Sequence, residues 1–429
     1  MKQGLNHPPG LSWPRKIATL LASGALLASG LVATSAALTV TPAAAEGSAE
    51  SGNSHATTTY YAYLDEGDVL DTSFLVSTRN GGSDSVGDDR HYTITDPDGV
   101  VQWECTVDGT APYGTGCTSP TLTGPAGAWK IQDDQVPADS LVRMAWNIDV
   151  STAEGTPVPG RVWSERPQIS QDAGELRDLS FWMVNDTGYQ YRVDLNDYNG
   201  YQSFITASAF GITDENCVPT YKSVEASTEP GRDGLPDDLS LRTDCAPIFR
   251  AFFAEPAADL PATAPSADGV LNVVPPVLGS EDLAVTDLAF SSNAANSADG
   301  VFTHSINERF SGAYELQIDT NGNGSYTDDV DRIISLSADG SGEYSYEFDG
   351  LDGLGVAVED CSLMNARLYF PKVGEIHVTQ LDVEGRAGGI QVTAINGENA
   401  GDDTVYWDDT DLDLDSRENS TPQLDGTDG

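Results

Sequence analysis

Basic charge is what this chain has least of. Against 67 aspartates and glutamates stand 21 lysines and arginines, a formal net charge of −46. After residue 16 the only lysines are Lys130, Lys222 and Lys372, so arginine carries most of the positive charge. Such a surface repels phosphate backbones and anionic lipid, which argues against nucleic-acid and membrane-surface roles. Cysteine is scarce too. There are five, with no C-x-x-C pair, so neither a zinc ribbon nor a thioredoxin-like site is indicated. His55, His91, His304 and His377 stand in neither H-E-x-x-H nor H-x-H spacing. A G-x-S-x-G elbow, a Walker loop and a strand-linked G-x-G-x-x-G are all missing. Acidic residues are so abundant that no one pair can be singled out for glycoside hydrolysis. These absences predict a protein that is not an enzyme.

What is present begins with compartment. Lys2, Arg15 and Lys16 form a basic head, Ile17 to Leu38 an apolar run, and Pro42-Ala43-Ala44-Ala45 a small-residue cleavage pattern. Residues 1–45 read as an export signal cut after Ala45. No second apolar run reaches spanning length, so no membrane span is expected after cleavage. The mature chain has about 384 residues and a charge of about −49. That length suits two or three domains. In an oxidising compartment the local pairs Cys105–Cys117 and Cys217–Cys245 are the parsimonious disulfides, leaving Cys361 over. Each would contribute roughly 3 kcal/mol by constraining the unfolded chain.

Period-two alternation dominates the rest. Leu70, Thr72, Phe74 and Val76 alternate with polar neighbours, as do Val101, Trp103 and Cys105, and then Val142, Met144, Trp146 and Ile148. Further runs occur at Tyr189–Leu195, Tyr314–Ile318, Tyr344–Phe348, Ile376–Val378 and Ile390–Ala394. One buried face and one wet face is the signature of antiparallel sheet. The expected class is all-β, with serial immunoglobulin-like β-sandwich modules. The expected order is a flexible N-terminus over 46–56, a sandwich over 57–154 and a β-rich module over 155–254. A linker over 255–267, a third sandwich over 268–411 and an acidic disordered tail over 412–429 follow. Lys130 and Lys372 have apolar neighbours and read as snorkelling strand lysines rather than cross-linking ones.

One motif carries a mechanism. Asp319-Thr320-Asn321-Gly322-Asn323-Gly324-Ser325 matches the first half of an EF-hand-type calcium loop. Asp319, Asn321 and Asn323 supply side-chain oxygens, Gly324 the sharp turn and Ser325 a backbone carbonyl. Position 12 holds Val330 in place of the usual glutamate, so Asp328, Asp329 or Asp331 would have to substitute. The competing reading is a hairpin turn rich in the ordinary turn residues. If calcium binds, the expected affinity is on the order of 10⁻⁴–10⁻³ M and its role is to stiffen a hairpin.

The signal peptide, serial β-modules, Asp96-Pro97-Asp98-Gly99 turn, calcium-like loop and low lysine together resemble the exported surface proteins of Gram-positive, actinobacterial-type bacteria. The resemblance implies an adhesin, stalk or wall-associated scaffold at the cell surface, displaying a face to a glycan, a protein or a neighbouring module. The alternative is an accessory or carbohydrate-binding region of an extracellular hydrolase. Tyr189, Tyr191, Tyr198 and Tyr201 discriminate: a planar exposed row favours glycan binding there, and burial favours a structural module.

Overall fold

The computed structural model describes residues 46–47, 58–79, 89–135, 142–169, 176–198, 203–214, 239–240, 247–279, 282–283, 288–295, 297–370, 373–381 and 388–405. They form strands, turns and short 3-10 turns such as Cys361–Leu363, with no α-helix. No helix among them is long and apolar enough to cross a membrane. The expected all-β class is what the chain adopts, in several sheets whose ladders are antiparallel apart from one parallel bridge.

The first strands are β1 (Glu46–Gly47), β2 (Thr58–Leu64), β3 (Val69–Arg79), β4 (Arg90–Thr95), β5 (Val101–Val107), β6 (Gly116–Thr118), β7 (Gly127–Gln135) and β8 (Val142–Ser151). A small sheet runs β1-β8-β3-β6, while β2, β4, β5 and β7 belong to a larger one. Alternation does what it should: in β2, Thr58, Tyr60, Ala62 and Leu64 are the buried positions. The layers meet through rings, with Phe74 stacked on Tyr92 at 4.0 Å and Tyr60 on Trp146 at 4.8 Å between centroids. The Cys105–Cys117 disulfide joins β5 to β6 and so ties one layer to the other. Arg90 and Asp133, both fully buried, sit in the same core. The guanidinium grips the carboxylate with two nitrogens, Nε at 2.8 Å and Nη2 on the second oxygen.

Next come β9 (Val162–Ser164), β10 (Gln168–Ile169), β11 (Arg177–Val184), β12 (Gln190–Tyr198), β13 (Ser203–Ser208), the short pair β14 (Thr213–Asp214) and β15 (Leu239–Ser240), β16 (Arg250–Phe252), β17 (Thr263–Ser266) and β18 (Gly269–Asn272). The larger sheet continues without a break as β18-β17-β7-β2-β9-β16-β11-β12, with β4 and β5 branching from β7. One apolar core runs along its inner face, from Phe74 and Trp146 through Phe253 to Phe181, Val193 and Ile205. On the outer face, Leu260, Ala264, Leu271 and Val273 cover Trp163, Trp182 and Phe252.

The last strands are β19 (Ala289–Ser292), β20 (Asp299–Ser305), β21 (Ser311–Asp319), β22 (Arg332–Asp339), β23 (Glu343–Asp349), β24 (Asn365–Tyr369), β25 (His377–Leu381) and β26 (Ile390–Ala394). Two three-stranded sheets, β19-β20-β23 and β22-β21-β24, enclose Phe302, Leu316, Ile318 and Phe348. An arginine fixes this sandwich to what precedes it. Arg309, between β20 and β21, reaches back to the carbonyls of Asp186 and Pro276 at 3.2 and 2.6 Å, and Arg250 holds the Asp186 carboxylate at 2.5 Å.

Strand pairing crosses several expected boundaries. β2 pairs β9 across residue 155. β17 lies largely inside the expected linker, and its Ser266 bridges Ala128 in parallel. Glu46 and Gly47, expected at a flexible terminus, pair with Ile148 and Asn147. β25 and β26 return to β13 and β12, far back in the chain. Residues 1–45 and 412–429, expected as export signal and acidic tail, fall outside the described residues.

Candidate functional site

Asp319 ends β21 with its side chain fully buried, and main-chain amides converge on it. Gly322 donates to Oδ1 at 2.7 Å, Asn323 to Oδ1 at 3.2 Å and Gly324 to Oδ2 at 2.8 Å. Gly322 and Gly324 take φ of 73° and 84°, the left-handed region that lets the chain wrap a carboxylate. Burial would push the Asp319 carboxyl up, but the amides of Gly324, Gly322 and Asn323 outweigh it and hold the group below its ordinary value.

The other expected ligands divide into two groups. Asp328 accepts from Asn323 Nδ2 at 2.6 Å and from the Ser325 hydroxyl at 3.2 Å, so these three come together. Asp331, buried at the base, accepts from the amides of Thr320 at 3.2 Å and Asp328 at 2.9 Å. The Asn321 side chain accepts from the Asn323 amide at 3.0 Å. The exposed Asp329 does not join these contacts; its carbonyl faces Gly353, where a Cβ would come within 2.4 Å of it. Among the described residues no three His, Cys, Asp or Glu side chains form a metal-holding group. The available donors are all oxygens, the chemistry of a hard cation.

The loop delivers one side chain that sequence reasoning passed over. Tyr326 lies at the tip and faces the guanidinium of Arg367 on β24, whose Cζ is 4.2 Å from the ring centroid. Arg367 Cζ also stands 5.6 Å from the ring centroid of Tyr369. Arg367 Nε and Nη2 both donate to Gln317 Oε1, at 2.9 and 2.8 Å, and Gln317 Nε2 donates to Glu315 at 2.7 Å. Register explains the cluster: Ile333, Gln317 and Arg367 face one another across β22, β21 and β24, and Ser335, Glu315 and Tyr369 form the next row. A usable signal was present in the sequence. Arg367 and Tyr369 flank Leu368 in the outward phase of their strand, and an aromatic in that phase is an exposed aromatic.

The remaining candidates lie elsewhere. Tyr189, Tyr191 and Tyr198 are buried in the main core, and Tyr201 lies outside the described residues. Cys217, Cys245 and Lys372 also lie outside them. Cys361 is a free thiol, half-buried beside the Phe348 core. Lys130 donates to Asp268 at 2.9 Å, whose other oxygen accepts from Tyr61 at 2.8 Å, a partly exposed salt bridge. His91 is hydrogen-bonded to Thr106 at 3.0 Å and His377 to Glu375 at 2.9 Å. Neither a protein-family model, nor a curated protein, nor a solved structure matches this chain.

Proposed function

We propose that this chain is an exported, non-enzymatic surface protein, built of immunoglobulin-like sandwiches, that acts by displaying a binding face. The observation that carries this reading is the Cys105–Cys117 disulfide between the two layers of the first sandwich, a cross-link that persists in oxidising compartments. Burial of Tyr189, Tyr191 and Tyr198 supports a structural role for the stretch around them. The display face is the outer side of β22-β21-β24. Calcium at residues 319–331 would stiffen the hairpin that carries Tyr326, drawing on Asp319, Asn321, Asn323, Ser325 and Asp328.

Two measurements test this. Protein recovered from the culture medium or cell surface should begin at Glu46 and, in non-reducing peptide maps, show Cys105 joined to Cys117. Recovery of an uncut chain from the cytosol, with both thiols free, would overturn the reading. Millimolar calcium should raise the melting temperature of the β19–β24 sandwich, and Asp319→Ala should abolish the rise. An unchanged melting curve would remove calcium and leave a plain turn.

A further inference from the structure

Resting on that display reading, we propose that the Tyr326–Arg367–Tyr369 face binds a neutral glycan. Four observations point to this ligand class. The Arg367 guanidinium lies 4.2 Å from the Tyr326 ring centroid and 5.6 Å from that of Tyr369, and Tyr369 is left 46% exposed, a ring on which the C–H face of a sugar can lie. Ile333, 49% exposed, extends the apolar part across the sheet. Around it are planar hydrogen-bonding groups held in place, because Gln317 is gripped by Arg367 on one side and bonded to Glu315 on the other. Among the described residues Glu315 Oε1, Arg367 Nη1 and the Tyr369 hydroxyl take no protein partner, so acceptor and donor sites remain for ring hydroxyls.

Charge decides against other ligands. The two rows around Arg367 carry one cation, Arg367, and one anion, Glu315, with Asp339 farther along the same side of β22, within a chain of net charge −46. A polyanion meets repulsion from the whole molecule, and a polycation finds denser acidic surface elsewhere. A neutral polyhydroxylated ligand needs no charged partner and meets Arg367 and Glu315 through hydrogen bonds alone. Size agrees: three strands at about 4.8 Å spacing and two rows about 7 Å apart span the footprint of one or two pyranose rings. A protein partner would want a larger apolar centre than one isoleucine and one tyrosine.

The test is calorimetric titration of the mature chain with cellohexaose, xylohexaose, mannohexaose, maltohexaose and chitohexaose. At least one should bind saturably. Tyr369→Ala should weaken that binding about tenfold or more, the loss of one aromatic anchor. Tyr369→Phe should keep most of it, and Val270→Ser, on the exposed β18, should change nothing. Glu315→Gln gives a second variant that leaves the rings in place and should weaken binding several-fold. An exported chain that binds none of the five, or binds one with unchanged affinity after Tyr369→Ala, overturns the glycan assignment and leaves the export reading standing. An uncut cytosolic chain overturns the export reading instead.

Discussion

Trp129, Trp163, Tyr60, Tyr92, Tyr198, Phe74, Phe181, Phe210 and Phe252 are all fully buried in the block formed by β1–β18 with β25 and β26, whereas among the described aromatic residues of the β19–β24 sandwich Tyr314 and Phe348 are buried to the same degree. The strands of the two regions look alike in sequence. Their coverage differs. In β2 every second residue is buried, while in β24 the inward positions are only half-covered. The block has layers on both faces of its long sheet; the sandwich fills two smaller clusters, around Tyr314 and around Phe348, and leaves the outer side of β22-β21-β24 open. Stability is therefore concentrated in the block, and the sandwich leaves one sheet face open to solvent. Of the seven tryptophans, Trp103, Trp129, Trp146, Trp163 and Trp182 lie in the block, Trp13 and Trp407 lie outside the described residues and none lies in β19–β24, so tryptophan fluorescence of a mature chain carrying Trp407→Phe follows the first region.

The largest test of this contrast compares two ion pairs. Asp133→Ala leaves Arg90 charged in a dry core and should destabilise the block by about 3–5 kcal/mol in urea unfolding followed by tryptophan fluorescence. Arg332–Asp349, at 3.1 Å with side chains 23% and 54% exposed, is the corresponding pair of the sandwich. Water screens it, and Asp349→Ala should cost no more than about 1 kcal/mol. Equal losses would break the comparison.

A middle-sized effect should come from Cys105→Ser with Cys117→Ser. Removing the bridge between layers frees a loop of sequence separation 12 and should cost about 3 kcal/mol, seen in the same fluorescence transition. Hydrogen exchange in β21 and β22 should stay unchanged. If it accelerates equally, the two regions unfold as one unit and the contrast drawn above is only one of burial.

Period two made the strands legible, because facing water on one side and a core on the other imposes it. Met144, Trp146 and Ile148 are buried as the alternation requires. The disulfide was legible because twelve residues of turn-rich chain bring two strand ends together. Partners were not legible. Val378 and Val392 alternate with polar neighbours whatever strand lies beside them, and only the fold shows that they meet β13 and β12. Arg90 could have been found, since it shares the phase of Tyr92 and Ile94, as Asp133 shares that of Trp129 and Ile131. The calcium-like loop drew attention to its own oxygens, while the side chain it places on the sheet, Tyr326, was passed over among polar turn residues.

The sharpest test is one of direction, because pH should move the two regions in opposite directions. Glu46 in β1 is buried, with its carboxylate accepting from the Gly160 and Arg161 amides at 3.1 and 3.4 Å. Burial outweighs those bonds, and Asp149 nearby adds repulsion, so its carboxyl is pushed up to about 8. The folded state then holds a proton that the unfolded state releases near pH 4.5, so the β1–β8 pairing is firmest in acid and loosens as pH rises through about 8. His304 in β20 is buried against Tyr314, bonded to its hydroxyl at 2.8 Å, with Tyr344 stacked 5.8 Å away and Nδ1 without a partner. Burial lowers its affinity for a proton. The unfolded state therefore gains the proton first, and the β19–β24 sandwich is firmest above pH 6.5 and weakens as pH falls below it. Hydrogen exchange of the uncut chain, in which Glu46 carries no α-ammonium, measured between about pH 5 and about pH 8.5 and corrected for intrinsic chemistry, should show protection of β8 opposite β1 falling with pH while that of β20 and β21 rises. Glu46→Gln should flatten the first slope and His304→Gln the second. Parallel slopes, or slopes that survive both substitutions, would mean that the regions share one titrating network after all.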